Sequence, residues 1–145
     1  MLIMCGKKII KNLVAALTPL FDVPVYPFDQ NARRDLPCVV VGYDRDEQTR
    51  EGLAGHYTVG GFVMAAVNGY DDASNEQADA LADDAIEALC DDIEAAINAP
   101  DEGEDERPAR DFHCNKLFVR GTEREEADSS TLIFVKWDAF TRNSD

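Results

Sequence analysis

His113 and Cys114 are the only adjacent soft metal ligands in this chain, which carries four cysteines in all: Cys5, Cys38, Cys90 and Cys114. A zinc site needs about four such ligands at suitable spacing. No CxxC occurs and His56 lies far away in sequence, so the cysteines read as free, mostly buried thiols. Asp44-x-Asp46 opens like a calcium loop, but Thr49 stands where that loop needs its glycine. P-loop, GxGxxG, GxSxG and HExxH patterns are absent. Carboxylates are too abundant for any pair to stand out for acid–base work, and no nucleophile is matched to a base. No catalytic, cofactor-binding or metal-ligating residue is expected, and the chain is not expected to be an enzyme.

The carboxylates are segregated. Residues 51 to 106 hold 16 acids and no Lys or Arg, while the other 89 residues hold 13 acids against 14 basic groups. The net charge of −15 therefore belongs to one segment. Its densest part is DDAIEALCDDIEAAIN, residues 83 to 98. Read as one helix, it sets Asp79, Asp83, Glu87 and Asp91 at i,i+4. Glu76-Asp79, Asp84-Glu87 and Asp91-Glu94 fall at i,i+3. Six like-charge contacts cost roughly 1–3 kcal/mol in dilute buffer, and Asp91, Asp92 and Glu94 also face the negative end of the helix dipole. A cation site, an imitation of nucleic acid or a salty solvent would each account for this. At ~1 M salt the screening length is about 3 Å and most of the repulsion vanishes. Asp outnumbers Glu 18 to 11 and Arg outnumbers Lys 9 to 5, a composition like that of proteins from halophilic hosts, and the salty solvent is favoured.

The elements that position these groups follow from periodicity. Ile9, Ile10, Leu13, Val14 and Leu17 form a helical stripe over Lys7–Leu17, with Lys7, Lys8 and Lys11 opposite, and Pro19 stops it. VPVYPF (23–28) suits an edge strand and PCVVVGYD (37–44) a buried one. Asp44–Gly52 reads as a charged turn, then His56–Gly69 as a long strand whose Gly60-Gly61 marks a bulge or a close approach. The acidic helix starts at an expected N-cap, Ser74, with Gln77 at capping-box spacing. Its stripe of Leu81, Ala85, Ile86, Leu89, Ile93 and Ile97 runs to Asn98-Ala99-Pro100. An exposed acidic loop follows at 99–111, then strands Lys116–Thr122 and Thr131–Phe140 joined by EREEADSS. Ile133, Val135 and Trp137 share one face of the last strand; Leu132, Phe134 and Phe140 share the other, interrupted by Lys136 and Asp138. The expectation is one α+β domain over residues 1–145: a mostly antiparallel sheet of about five strands with two helices packed on it, in the order α-β-β-β-α-β-β. The longest uncharged apolar stretch, Gly60–Val67, is far short of the ~20 residues that span a membrane. The opening MLIMCGKKII is unlike a secretory signal, so synthesis in the cytoplasm is expected.

So arranged, the chain resembles the tail terminator (tail completion, minor tail) proteins of long-tailed viruses over roughly residues 8 to 140. The likeness rests on IIKNLVAALTPL, on VPVYPFDQNARRDLPCVVVGYD, on GHYTVGGFVMAAV and on ASNEQADALADDAIEAL with its two-strand finish. It implies a virion structural protein at the head–tail junction, made in the host cytoplasm. Such proteins form a ring, commonly hexameric, that caps the tail tube, stops its polymerisation and meets the head connector. The implied partners are copies of itself, the tail tube protein and a head-completion protein, with DNA passing through unbound. The strong acidity and the loop at 99–111 depart from the family pattern. A neck or head-completion protein, or an acidic DNA-mimic inhibitor, are the alternatives. Both faces of Leu117–Val119 and Leu132–Val135 are apolar, more than two helices on one side would cover. A neighbouring subunit could supply the second cover, with Arg33, Arg34, Arg45, Arg50, Arg120 and Arg124 meeting its acids in a head-to-tail contact.

Overall fold

The computed structural model describes residues 5–28, 34–48, 56–99, 113–127 and 129–142. Helix α1 (Cys5–Leu17) runs into a single 3-10 turn, Thr18–Leu20. Strands β1 (Val25–Pro27), β2 (Cys38–Gln48) and β3 (His56–Asn68) follow, then helices α2 (Asp72–Cys90) and α3 (Ile93–Ile97), and finally β4 (His113–Ala127) and β5 (Ser130–Arg142). The five strands form one mixed sheet in the order β1-β2-β3-β5-β4. Only β1–β2 is parallel; the other pairings are antiparallel. The domain is α+β, with three helices where the sequence suggested two.

The extra helix arises from a break. The acidic helix is not continuous to Ile97: Asp92 adopts a left-handed backbone (φ 49) and separates α2 from α3. Asp is among the few non-glycine residues that tolerate this conformation, so the second Asp-Asp pair forms the turn between the helices. The break lets Ile93 and Ile97 turn inward, where both are buried. It also frees α3 to bind two neighbours. Asn12 Nδ2 donates to the Ile97 carbonyl at 2.8 Å, tying α3 to α1. Asn98 grips the backbone of Cys114, donating to its carbonyl at 2.9 Å and accepting from its N–H at 2.7 Å. Glu94 Oε1 accepts from the Leu117 N–H at 2.9 Å. Side chains of and beside α3 thus occupy hydrogen-bonding groups on the outer edge of β4, which would otherwise invite another strand.

The helix start also differs from expectation. Asp71, not Ser74, is the N-cap, and its carboxylate accepts from the Ser74 N–H at 2.8 Å. That hydrogen bond, which stabilises the charged form, lowers the Asp71 pKa. Ser74 Oγ instead donates to the Asn68 carbonyl at 2.8 Å, holding the strand-to-helix turn.

The strands overrun their expected limits. The polar residues at 44–48 and 123–127 continue β2 and β4 as hairpin arms, because backbone pairing needs no apolar side chain where one face meets water. All three helices lie on one face of the sheet. Their core contains Ile9, Leu13, Leu17, Leu89, Ile93 and Ile97 from the helices and Val39, Val41, Val63, Val135 and Trp137 from the strands. The period-two stripe of Ile133, Val135 and Trp137 points into it, as read from the sequence. Gly61 lies against this core, where an added Cβ would come within 2.3 Å of the Gly42 carbonyl oxygen and 2.4 Å of the Trp137 ring. Gly60-Gly61 thus marks a close approach, and the bulge lies opposite, on β2, between Tyr43 and Arg45.

Candidate functional site

The sheet face away from the helices has two zones. Tyr26, Cys38, Val40, Phe62, Met64, Ala66, Leu132 and Phe134 make a second apolar cluster there. Phe28, Phe62 and Phe134 link it edge to face, with ring centroids 5.7 and 5.6 Å apart. Farther along the same face Phe118 and Phe140 pair across β4 and β5 at 5.6 Å. Large parts of Phe28, Phe118 and Phe140 remain exposed, 46%, 46% and 42% respectively.

Between the aromatic groups runs a charged belt. The β2 bulge inserts Asp44 as an extra residue, and this sets Arg45 opposite Gly60 on the open face. Arg45 donates to Asp138 Oδ1 at 2.9 Å, and Arg120, at a bulge of β4, lies 3.4 Å from Asp138 Oδ2. Lys136 is beside them, 3.8 Å from Glu123 and over the Phe134 ring. At the end of the sheet, Arg142 is in register with His56 of β3 and His113 of β4. Around the β1 edge, α1, β1 and β2 leave a groove of about 530 Å³, floored by Ile10, Val14 and Val41 and flanked by Lys7 and Lys11.

Of the six arginines singled out from the sequence, Arg33 and Arg50 lie outside the described residues. Arg34 stacks 5.5 Å from the Phe28 centroid, and Arg45 and Arg120 share Asp138. Arg124 is on the other side of the sheet: it pairs with Asp79 of α2 and donates to Asn75 at 2.9 Å. It fastens the acidic helix to β4 within one molecule. The His56–Arg142–His113 row and the Phe118–Phe140 pair were missed, because strand pairing alone brings them together. The alternation of Phe134, Lys136, Asp138 and Phe140 along β5 was their one sequence signal.

The acidic helix is less strained than its sequence suggests. Asp79 has Arg124. Glu94 sits beyond the break and has the Leu117 N–H and Lys116, the latter at 3.8 Å. Asp83, Asp84 and Glu87 remain exposed on its outer face. The loop expected at 99–111 lies almost wholly outside the described residues. Among the described residues no three His, Cys, Asp or Glu side chains are placed to hold a metal ion, and no helix is long and apolar enough to cross a membrane.

His113 and Cys114 point to opposite faces. Cys114 is buried, and burial, with Glu94 nearby, pushes its thiol from the ordinary 9.0 up to about 12. Because the folded value is raised, the associated stability is fully present below the ordinary thiol value. It is lost as pH climbs through the folded value. Cys38 is likewise buried and raised, by desolvation first, whereas Cys90 is exposed. At about pH 8 an alkylating reagent is expected to modify Cys90 readily and to spare Cys38 and Cys114 until the protein is unfolded. Peptide mass mapping of the native protein checks this; labelling of Cys114 at the rate of Cys90 would contradict the burial.

No protein-family model and no curated protein matches this chain.

Proposed function

We propose that this protein is a ring-forming structural component of a long-tailed virus, a tail terminator that closes the tail tube at its head-proximal end. The observation that carries this proposal is the contrast between the two sides of the sheet. One side is roofed by helices and presents the acids of α2; the other is unroofed and aromatic and carries Arg, Lys and His side chains interleaved with Asp138, Glu123 and Glu125. A molecule with two unlike, complementary sides associates head to tail, and head-to-tail contacts close into rings when the rotation permits. The element order that motivated the resemblance adds support. A structural role also suits the absence of a nucleophile–base pairing in the sequence.

In this reading six copies make the ring, its two rims meet the tail tube protein and a head-completion protein, and DNA passes without being gripped. A chain of net charge −15 is a poor duplex binder. The direct test is native mass spectrometry of the purified protein at low and high salt, combined with fractionation of virus particles. A cyclic oligomer, with the protein co-purifying with tails, is the expected result. Loss of the gene is expected to give tail tubes of uncontrolled length. A protein that stays monomeric at high concentration and is absent from particles would end this proposal. Potent inhibition of a DNA-binding enzyme would favour a DNA mimic instead.

A further inference from the structure

We infer that the seam of this ring is formed by the outer face of α2 of one copy seated on the open sheet face of the next. This rests on the ring proposed above and assigns its two contacting surfaces. Three observations converge on it.

The first is charge complementarity. The open face offers Arg45, Arg120, Lys136 and Arg142, the last flanked by two histidines, against the carboxylates Asp138, Glu123 and Glu125. Helix α2 contains no Lys or Arg, and Asp83, Asp84 and Glu87 stand exposed on it. Arg124 already occupies Asp79, so these outer acids are among those left for a neighbour.

The second is placement. The two surfaces lie on opposite sides of one sheet, so no copy can satisfy both by itself. Each subunit has one of each, which makes the contact heterologous. Like-with-like pairing of two helices is disfavoured by their repelling acids.

The third is the exposed aromatic surface. Phe118 and Phe140 are nearly half exposed beside the cations. Covering such rings supplies affinity, while the charges set register and orientation. This division also works in concentrated salt, which screens charges but strengthens apolar burial when the salt is kosmotropic. A sheet bearing aromatic and basic groups could also stack single-stranded nucleic acid. The overall negative charge and the complementary helix favour a second copy.

The test uses the full chain and two charge-reversed forms. Arg120→Glu with Arg142→Glu alters the sheet face; Asp83→Lys with Glu87→Lys alters the helix. Each form alone is expected to assemble about tenfold more weakly or worse, with its circular dichroism unchanged. Mixed one to one, they are expected to recover alternating rings, because every seam then pairs opposite charges. As a second measurement, Phe140 replaced by p-benzoyl-phenylalanine is expected to photocrosslink to the α2 peptide of a neighbour. Rings that form while the crosslinks map elsewhere, or a mixture that does not recover, would overturn this seam and leave the ring standing. Monomers together with absence from particles would overturn both. Tight binding of a single-stranded oligonucleotide to the Phe140 surface would reassign that face.

Discussion

Gly61→Ala is expected to cost about 3 kcal/mol or more of folding stability, a large fraction of the roughly 5–15 kcal/mol typical of a domain. The added methyl would meet two obstacles at once, the Gly42 carbonyl oxygen at 2.3 Å and the Trp137 ring at 2.4 Å. A ring can shift; a backbone oxygen in a paired strand cannot do so without breaking the ladder. Removing the ring from the other side, Trp137→Ala, empties the centre of the core, where Trp137 is fully buried, and is expected to cost about 3–5 kcal/mol. Trp137→Phe should cost clearly less, since the indole N–H has no acceptor among the described residues. Denaturant unfolding of the three variants measures these losses. The double variant Gly61→Ala, Trp137→Phe should recover only part of the Gly61 penalty, because the clash with Gly42 persists. Full recovery would show that the ring alone makes position 61 intolerant.

Raising salt from ~0.1 M to ~2 M is expected to increase the melting temperature by about 5 °C. The source is the unrelieved repulsion among Asp83, Asp84 and Glu87 and across the rest of the acidic segment. The gain is smaller than six like-charge contacts in one helix would give. Asp79 has Arg124, and Glu94 is removed from α2 by the turn at Asp92 and has its own partners. Asp83→Lys with Asp91→Lys is expected to flatten the response. Asp83 lies within α2, whereas Asp91 is its C-cap residue, so most of the flattening should come from Asp83. A melting temperature indifferent to salt would remove the case for a halophilic setting.

The residues at 44–48 show the limit of composition as a guide. Their charges read as a turn, yet the structure continues β2 through them to Gln48. Strand pairing is a backbone interaction whose partner lies elsewhere in the chain, so local polarity could not reveal it. Strands β4 and β5 extend beyond Lys116–Thr122 and Thr131–Phe140 for the same reason. The turn at Asp92 was equally hidden: a helical apolar stripe running from Leu81 to Ile97 is compatible with one helix or two. In the broken form Asn12, Glu94 and Asn98 make tertiary contacts whose partners lie elsewhere in the chain.

By itself the sequence determined what depends on local period and chain-wide composition. It set the α1 stripe, the inward alternation of Ile133, Val135 and Trp137, the tight spot at Gly60-Gly61, and the confinement of negative charge to one segment. An α+β domain built on a five-stranded sheet followed from those. The tertiary structure decided which groups meet. It sent Arg124 to the acidic helix and Arg45 and Arg120 to Asp138 on the opposite face, although the sequence groups all three as candidate subunit contacts. The physical reason is register: one inserted residue in a paired strand turns each following side chain to the other face. Register is fixed by strand pairing across the sheet, not by the residues beside the one it turns.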